Sequence, residues 1–197
     1  YTVTRQEQDQ YAYGSYLKTY KALKNKYFKN ELCQTTLKDE VRSDTTLSKL
    51  SQLKSVFKKK GSVSAGNSSS LNDGAAFLAL ASSDYIKANK INPLAKILSW
   101  SSSAGNPDYM GVTPITAIQK LMKKMSVNIS YFDLVEINEA FAATSVAVQR
   151  SLKIDPNKLN IAGGAIALGH PIGCSGTRIL TTLAHQLKRT KLKFGVA

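Results

Sequence analysis

The chain has 197 residues, 43% hydrophobic and 20% charged, enough to bury a sizeable core in one large or two small domains. No apolar run approaches the ~20 residues that span a bilayer, the polar start from Tyr1 to Gln10 reads as neither signal nor transit peptide, and two cysteines make no disulfide framework. The net charge of +14 implies an anionic partner or an acidic piece that is absent. The lysines are scattered without interleaved aromatics, which argues against nucleic acid, and most read as solvated helix faces, with a few free to serve the phosphates of a small molecule.

Thr4-Arg5-Gln6-Glu7 has the form of a capping box and predicts a helix to about Tyr27, with Ala12, Tyr16, Thr19, Leu23 and Tyr27 on one face. Cys33 to Thr46 reads as irregular. Leu47 to Phe57 is amphipathic, with Leu47, Leu50, Leu53 and Phe57 on one side. Ser62 to Asn72 is a Gly/Ser/Asn loop, and the apolar run from Ala75 to Ala81 predicts a buried strand. Ser82 or Ser83 caps a short helix to Asn89, and Leu94 to Ser102 predicts a second strand. Thr113 and Pro114 suit the N-cap and first turn of a helix over Ile115 to Met125. A strand at Leu134 to Asn138, an apolar helix from Glu139 to Leu152 and a strand at Leu159 to Ala162 follow. A helix over Gly173 to Leu187 and a strand from Lys193 complete the order. Strands alternating with helices indicate an α/β architecture, with reactive groups at strand ends and in loops.

The densest signal runs from Asn160 to Gly176. It places His170, one of two histidines, among Gly163, Gly164, Gly169, Gly173 and Gly176. Glycine permits positive φ and close approach of the main chain to a ligand. Pro171 suits the first position of a helix, which would set the His170 imidazole at a positive helix N-terminus. The other histidine, His185, reads as an exposed helix residue, and no zinc-type spacing joins the histidines and cysteines, so no metal site is expected.

The run from Gly163 to Gly176 resembles the histidine signature of the thiolases, in particular the acetyl-CoA acetyltransferases. Asn138-Glu139-Ala140-Phe141-Ala142 is similar to the family's asparagine motif, and Val63 to Ala76 to its CoA-contacting loop. The three motifs occur in the family's order over nearly the whole chain. The resemblance implies part of a layered αβαβα fold, with 1–70 the latter part of a CoA-covering loop domain. It makes 71–91 the end of the N-terminal half and 92–197 most of the C-terminal half.

Thioester chemistry needs a nucleophile for the acyl group, a base to activate it, and donors for the developing oxyanion. By resemblance, His170 is the base, and Asn138 holds a water that helps bind the thioester oxygen. Ser69 and Ala65 lie along the pantetheine arm of CoA, Arg42 near its nucleotide, and Met110 and Phe141 beside the acyl group. Phe57 fits CoA packing or a helix core equally. Thr113 stands where the family more often has glycine, which leaves the acyl-chain preference open. Both family cysteines would fall outside the chain, one upstream of Tyr1 and one just past Ala197, so the chain is expected to be a fragment inactive alone. Cys174 then reads as packing; a rival reading makes it the nucleophile beside His170. The complete enzyme is expected to interconvert acetoacetyl-CoA and acetyl-CoA through an acyl-cysteine. It would use no cofactor beyond its CoA substrates, and would act as a homo-oligomer (dimer or tetramer) in the cytoplasm or, alternatively, the mitochondrion. The rivals are a broad-chain 3-ketoacyl-CoA thiolase and a non-catalytic CoA-binding protein.

Overall fold

The computed structural model describes residues 1–33 and 41–197, so the irregular stretch expected from Cys33 to Thr46 lies partly outside it. Helix α1 (Arg5–Lys24) starts as its sequence demands. The Thr4 hydroxyl accepts from the Glu7 amide, and the Glu7 carboxylate accepts from the Thr4 amide at 2.7 Å. The helix ends at Lys24, short of Tyr27, where Asn25 turns its amide back onto the last carbonyls. Its hidden face carries Gln8, Asp9, Ser15 and Thr19 beside Ala12, Tyr16 and Ala22, a mixture that apolar periodicity does not announce. These polar groups have specific partners: Asp9 accepts from Asn67 at 2.9 Å, and Asn67 in turn accepts from the Ser64 amide at 2.8 Å. In this way α1 pins the Gly/Ser/Asn loop.

Helix α2 (Leu47–Gln52) is shorter than its amphipathic pattern suggests. Leu53 turns to an extended conformation with ψ of 138°, and only Leu50 is buried, so the expected face through Phe57 does not form. Helix α3 (Ser83–Ala88) is capped by the Ser82 side chain. The runs from Ala75 to Ala81 and from Leu94 to Ser102 are not buried strands. They join no ladder among the described residues, and Phe77 and Trp100 are 93% and 71% exposed. Their apolar composition suits burial, but a strand exists only where a neighbour completes its hydrogen bonds.

A 3₁₀ segment (Pro107–Val112) leads into α4 (Thr113–Met125). Thr113 lies inside the helix rather than at its N-cap, because its hydroxyl donates to the Met110 carbonyl at 2.8 Å. Strand β1 (Leu134–Val135) is followed by α5 (Ala142–Leu152), the four-residue α6 (Ala165–Leu168), α7 (Ile172–Thr190) and β2 (Gly195–Val196). The strands β1 and β2 are parallel, with Leu134 opposite Gly195, and Leu159 bridges to Val135 on the other side. α5 starts three residues later than expected, since the chain bends at Ala140 and is still extended at Phe141, the N-cap. The larger core lies between α4, α5 and these strands, built on Ile118, Phe132, Val135, Val148 and Leu159. A second, formed by Ala12, Tyr16, Leu50, Ala142 and Ile166, joins α1 and α2 to the start of α5 and to α6. Among the described residues no helix is long and apolar enough to cross a membrane.

Candidate active site

Asn138 and His170 meet where the two cores adjoin. Beyond β1 the chain continues through Glu136, whose amide donates to the Val196 carbonyl, to Ile137. There the Asn160 side chain stands in for a neighbouring strand. It accepts from the Ile137 amide at 2.8 Å and donates to the Ile137 carbonyl at 2.9 Å. Asn160 is buried with a φ of 44°, a left-handed conformation that asparagine tolerates, and its carbonyl accepts from the Gly163 amide to close a tight turn. These bonds fix the backbone immediately before Asn138.

The glycine loop is held from the opposite side by α1. Gly163 has a φ of 78°, and a Cβ there would overlap the Thr19 side chain and backbone, so the two segments approach as only glycine allows. The Ser15 hydroxyl accepts from the Gly164 amide at 3.1 Å and donates to Glu139 at 2.6 Å. Glu139 is 1% exposed, and its two oxygens also accept from Tyr11, Asn160 and the Ile166 amide. One carboxyl group thus ties the asparagine motif, the glycine loop and α1 together.

The loop then delivers His170. Its amide donates to the Ser70 carbonyl at 3.0 Å. Gly169, with φ of 91°, is packed too closely on Asn72 to carry a side chain. Pro171 is the N-cap of α7, not its first residue, with ψ of 103°. The extended ψ turns the chain sharply between His170 and the helix, and the imidazole stands just ahead of the helix entrance. Its Nε2 lies 3.2 Å from Asn138 Nδ2, and its Nδ1 lies 2.6 Å from Ser175 Oγ in the first turn of α7. Partial burial, assisted by the Arg178 guanidinium on the same helix, holds the imidazole below the ordinary histidine pKa. It is therefore neutral over a wider range, as a base should be. Asn138 Oδ1 is buried without a partner among the described residues.

The remaining expected residues divide into two groups. Ser69 is part of the centre, since its amide and hydroxyl both donate to the Ala140 carbonyl, at 3.0 and 3.1 Å. Phe141, the N-cap of α5, packs edge-on against Phe57 with ring centroids 5.7 Å apart. Phe57 is otherwise 71% exposed, so of its two expected roles the helix-core one is excluded. Ala65 is exposed in the tight turn between Ser64 and Asn67. Met110 is 72% exposed, on a segment whose Gly111 abuts Thr144 of α5. Arg42 is exposed near Tyr16 and makes no ion pair among the described residues.

Cys33 is exposed, whereas Cys174 is buried beside Gly74 and shares no hydrogen bond with His170 among the described residues. His185 is half-buried rather than exposed. Glu139, Asn160 and Ser175 were not singled out by sequence reasoning. A faint signal existed for Ser175, a hydroxyl one turn into the helix that follows the histidine.

Comparison with known proteins identifies the family and the fold. Residues 1–84 match the family model of the thiolase N-terminal domain and residues 91–197 that of the thiolase C-terminal domain. A probable acetyl-CoA acyltransferase of Staphylococcus aureus is 44% identical over 199 aligned positions, which cover 95% of this chain and 51% of that protein. The crystal structure of the Bacillus anthracis acetyl-CoA acetyltransferase is 42% identical and superposes with a TM-score of 0.93, covering 98% of this chain and 52% of its own. Human mitochondrial 3-ketoacyl-CoA thiolase in complex with CoA is 40% identical with a TM-score of 0.89, covering 98% and 50%. The chain spans about half the length of the relatives that it matches.

Proposed function

The chain belongs to the thiolase family, and on that premise we propose that it supplies the histidine–asparagine side of the active centre of an acetyl-CoA C-acetyltransferase. The contact that carries this reading is the 3.2 Å approach of Asn138 to His170 Nε2, at the junction of a strand end and a glycine loop. In the proposed reaction a thiol from outside these residues gives its proton to the neutral imidazole. The thiolate attacks the keto carbon of acetoacetyl-CoA, and the bond between the keto carbon and the α-carbon breaks. The electron pair leaves on the α-carbon, which takes up a proton, so that one acetyl-CoA departs and an acetyl-cysteine remains. The thiol of free CoA then takes the acetyl group and regenerates the cysteine. Asn138 supports the thioester oxygen through a water, and His170 donates to it once protonated.

The exposed basic residues favour CoA as the carrier. Lys58, Lys59 and Lys60 follow Phe57 at the surface, and Arg42 is exposed as well. In this reading Ser69, Ala65, Phe57 and Arg42 border the CoA path, and Met110 and Phe141 the acyl group. The loop domain is 1–70, the N-terminal half ends over 71–91, and 92–197 belongs to the C-terminal half. The break between the two matching family models, after residue 84 and before residue 91, supports the last division. The same reading has the protein act as a dimer or tetramer in the cytoplasm, without a cofactor beyond its CoA substrates.

CoA should bind more tightly than pantetheine, and its advantage should shrink as salt rises, because exposed charges are screened over ~8 Å at physiological ionic strength. Calorimetric titration of both ligands at two salt concentrations checks this. Equal affinities would remove the electrostatic basis for placing the nucleotide near these residues.

A broader chain preference is the second reading, since Thr113 alters the approach to Met110 and a 3-ketoacyl-CoA thiolase is among the similar structures. We expect kcat/KM for acetoacetyl-CoA to exceed that for longer 3-ketoacyl-CoA thioesters by about tenfold or more, within the ~1–3 kcal/mol that a pocket gains or loses per methylene. A thiolysis series over chain length decides it, and a flat or rising series supports the broad-chain enzyme instead.

A further inference from the structure

We propose that Ser175 is the positioning residue that sets the tautomer of His170, holding the proton on Nδ1 and leaving Nε2 as the basic nitrogen. Ser175 is buried on the first turn of α7, and its hydroxyl touches two groups: the Pro171 carbonyl at 3.0 Å and His170 Nδ1 at 2.6 Å. A serine hydroxyl has one proton to give and lone pairs to receive. Given to the Pro171 carbonyl, that proton leaves the oxygen free to accept from Nδ1–H. The Asn138 amide nitrogen stands beside both ring nitrogens, 3.2 Å from Nε2 and 3.5 Å from Nδ1, so the choice between them rests on Ser175.

The placement also explains why the residue is a buried serine. The hydroxyl belongs to a helix whose start is fixed by Pro171, and the Cys174 and Ser175 amides both donate to the Pro171 carbonyl. The oxygen therefore has little freedom to move away from the imidazole. The nitrogen opposite a histidine's working nitrogen is commonly oriented by such a hydrogen bond. When Nε2 takes up a proton, the imidazolium keeps its Nδ1–H bond to an oxygen already polarised by its own donation. Ser175 thus acts through His170 and does not touch the reacting atoms.

This inference rests on the acyl-transfer reading for its catalytic consequence, but its structural content can be tested separately. The intact protein is labelled with ¹⁵N-histidine, and the ring nitrogens are assigned from the signals lost in His170→Asn and in His185→Gln. Near neutral pH, wild-type His170 should show a protonated, pyrrole-type Nδ1 and an unprotonated, pyridine-type Nε2. In Ser175→Ala both signals should move towards averaged values, while those of His185 stay in place and report an intact fold. A wild-type ring protonated on Nε2 overturns the proposal, and so does an unchanged tautomer in Ser175→Ala. Should the variant not fold, the wild-type spectrum still decides. In the complete enzyme Ser175→Ala should lower kcat roughly tenfold with little change in KM, a part of the ~10²–10⁴-fold that a placed base contributes. An unchanged kcat beside an altered tautomer overturns the catalytic part. If His170→Asn itself acylates at the normal rate, the acyl-transfer reading fails while the nitrogen signals still decide the tautomer.

Discussion

His170→Asn should all but stop formation of the acyl-enzyme, and should slow it by more than Asn138→Ala does. Asparagine keeps a hydrogen-bond donor near the thioester oxygen but cannot take a proton from a thiol near neutral pH. The variant therefore loses the base while retaining part of the oxyanion support. A positioned general base contributes ~10²–10⁴-fold and a single oxyanion donor ~10²–10³-fold, so the range for the base contains that for the donor and extends about tenfold beyond it. The pH dependence follows from the imidazole. Burial, then Arg178, lowers its pKa, so the neutral form persists to lower pH than for an ordinary histidine. The acylation rate should rise with pH through that lowered pKa and level off above it, with the acid limb displaced downwards. Rapid-quench acylation followed by mass spectrometry of the acyl-cysteine, across a pH series, measures both effects. Normal acylation in His170→Asn would falsify the assignment of the base.

The second large effect is structural. Glu139→Ala should destabilise the fold by several kcal/mol, because each buried donor left without an acceptor costs ~1–3 kcal/mol. The substitution strands four donors at once: the Tyr11 and Ser15 hydroxyls, the Asn160 amide and the Ile166 backbone N–H. Glu139→Gln fills the space but turns an N–H₂ towards groups that themselves donate, so it should recover only part of the loss, on the order of half. The damage should concentrate at the seam between α1 and the glycine loop. Hydrogen exchange should therefore quicken at the Gly164 and Ile166 amides before it does in the core around Val148. Denaturant unfolding with exchange mass spectrometry tests this. A shift below about 1 kcal/mol would mean that the seam is held by packing, as expected where a hydrogen bond is near-neutral on balance.

Not every local signal had the same reach. The capping box at Thr4 and the cap at Ser82 were legible because both partners lie within three residues of each other. The strand pattern from Ala75 to Ala81 and from Leu94 to Ser102 misled for a reason of the same kind. Apolar composition describes what a segment prefers, whereas a ladder needs a second segment, and none is present among the described residues. Phe57 shows the same limit. Its spacing from Leu50 and Leu53 fits one helix face, but the helix stops at Gln52 and the ring rests on Phe141 instead.

What the sequence alone determined is the family and the motifs that mark it: a histidine in a glycine run, an asparagine motif ahead of it, and the resemblance that joins them. The Asn138–His170 contact itself spans 32 positions, yet the motifs on either side were distinctive enough to pair them. Tertiary structure decided how that pair is held. Ser15 reaches Glu139 across 124 positions and Asn160 reaches Ile137 across 23, and no local pattern marks either partner. A buried polar residue looks like any surface serine or glutamate until chain closure removes water and obliges each donor to find an acceptor. Composition and spacing report what each segment can do by itself, whereas the satisfaction of buried groups belongs to the assembled fold.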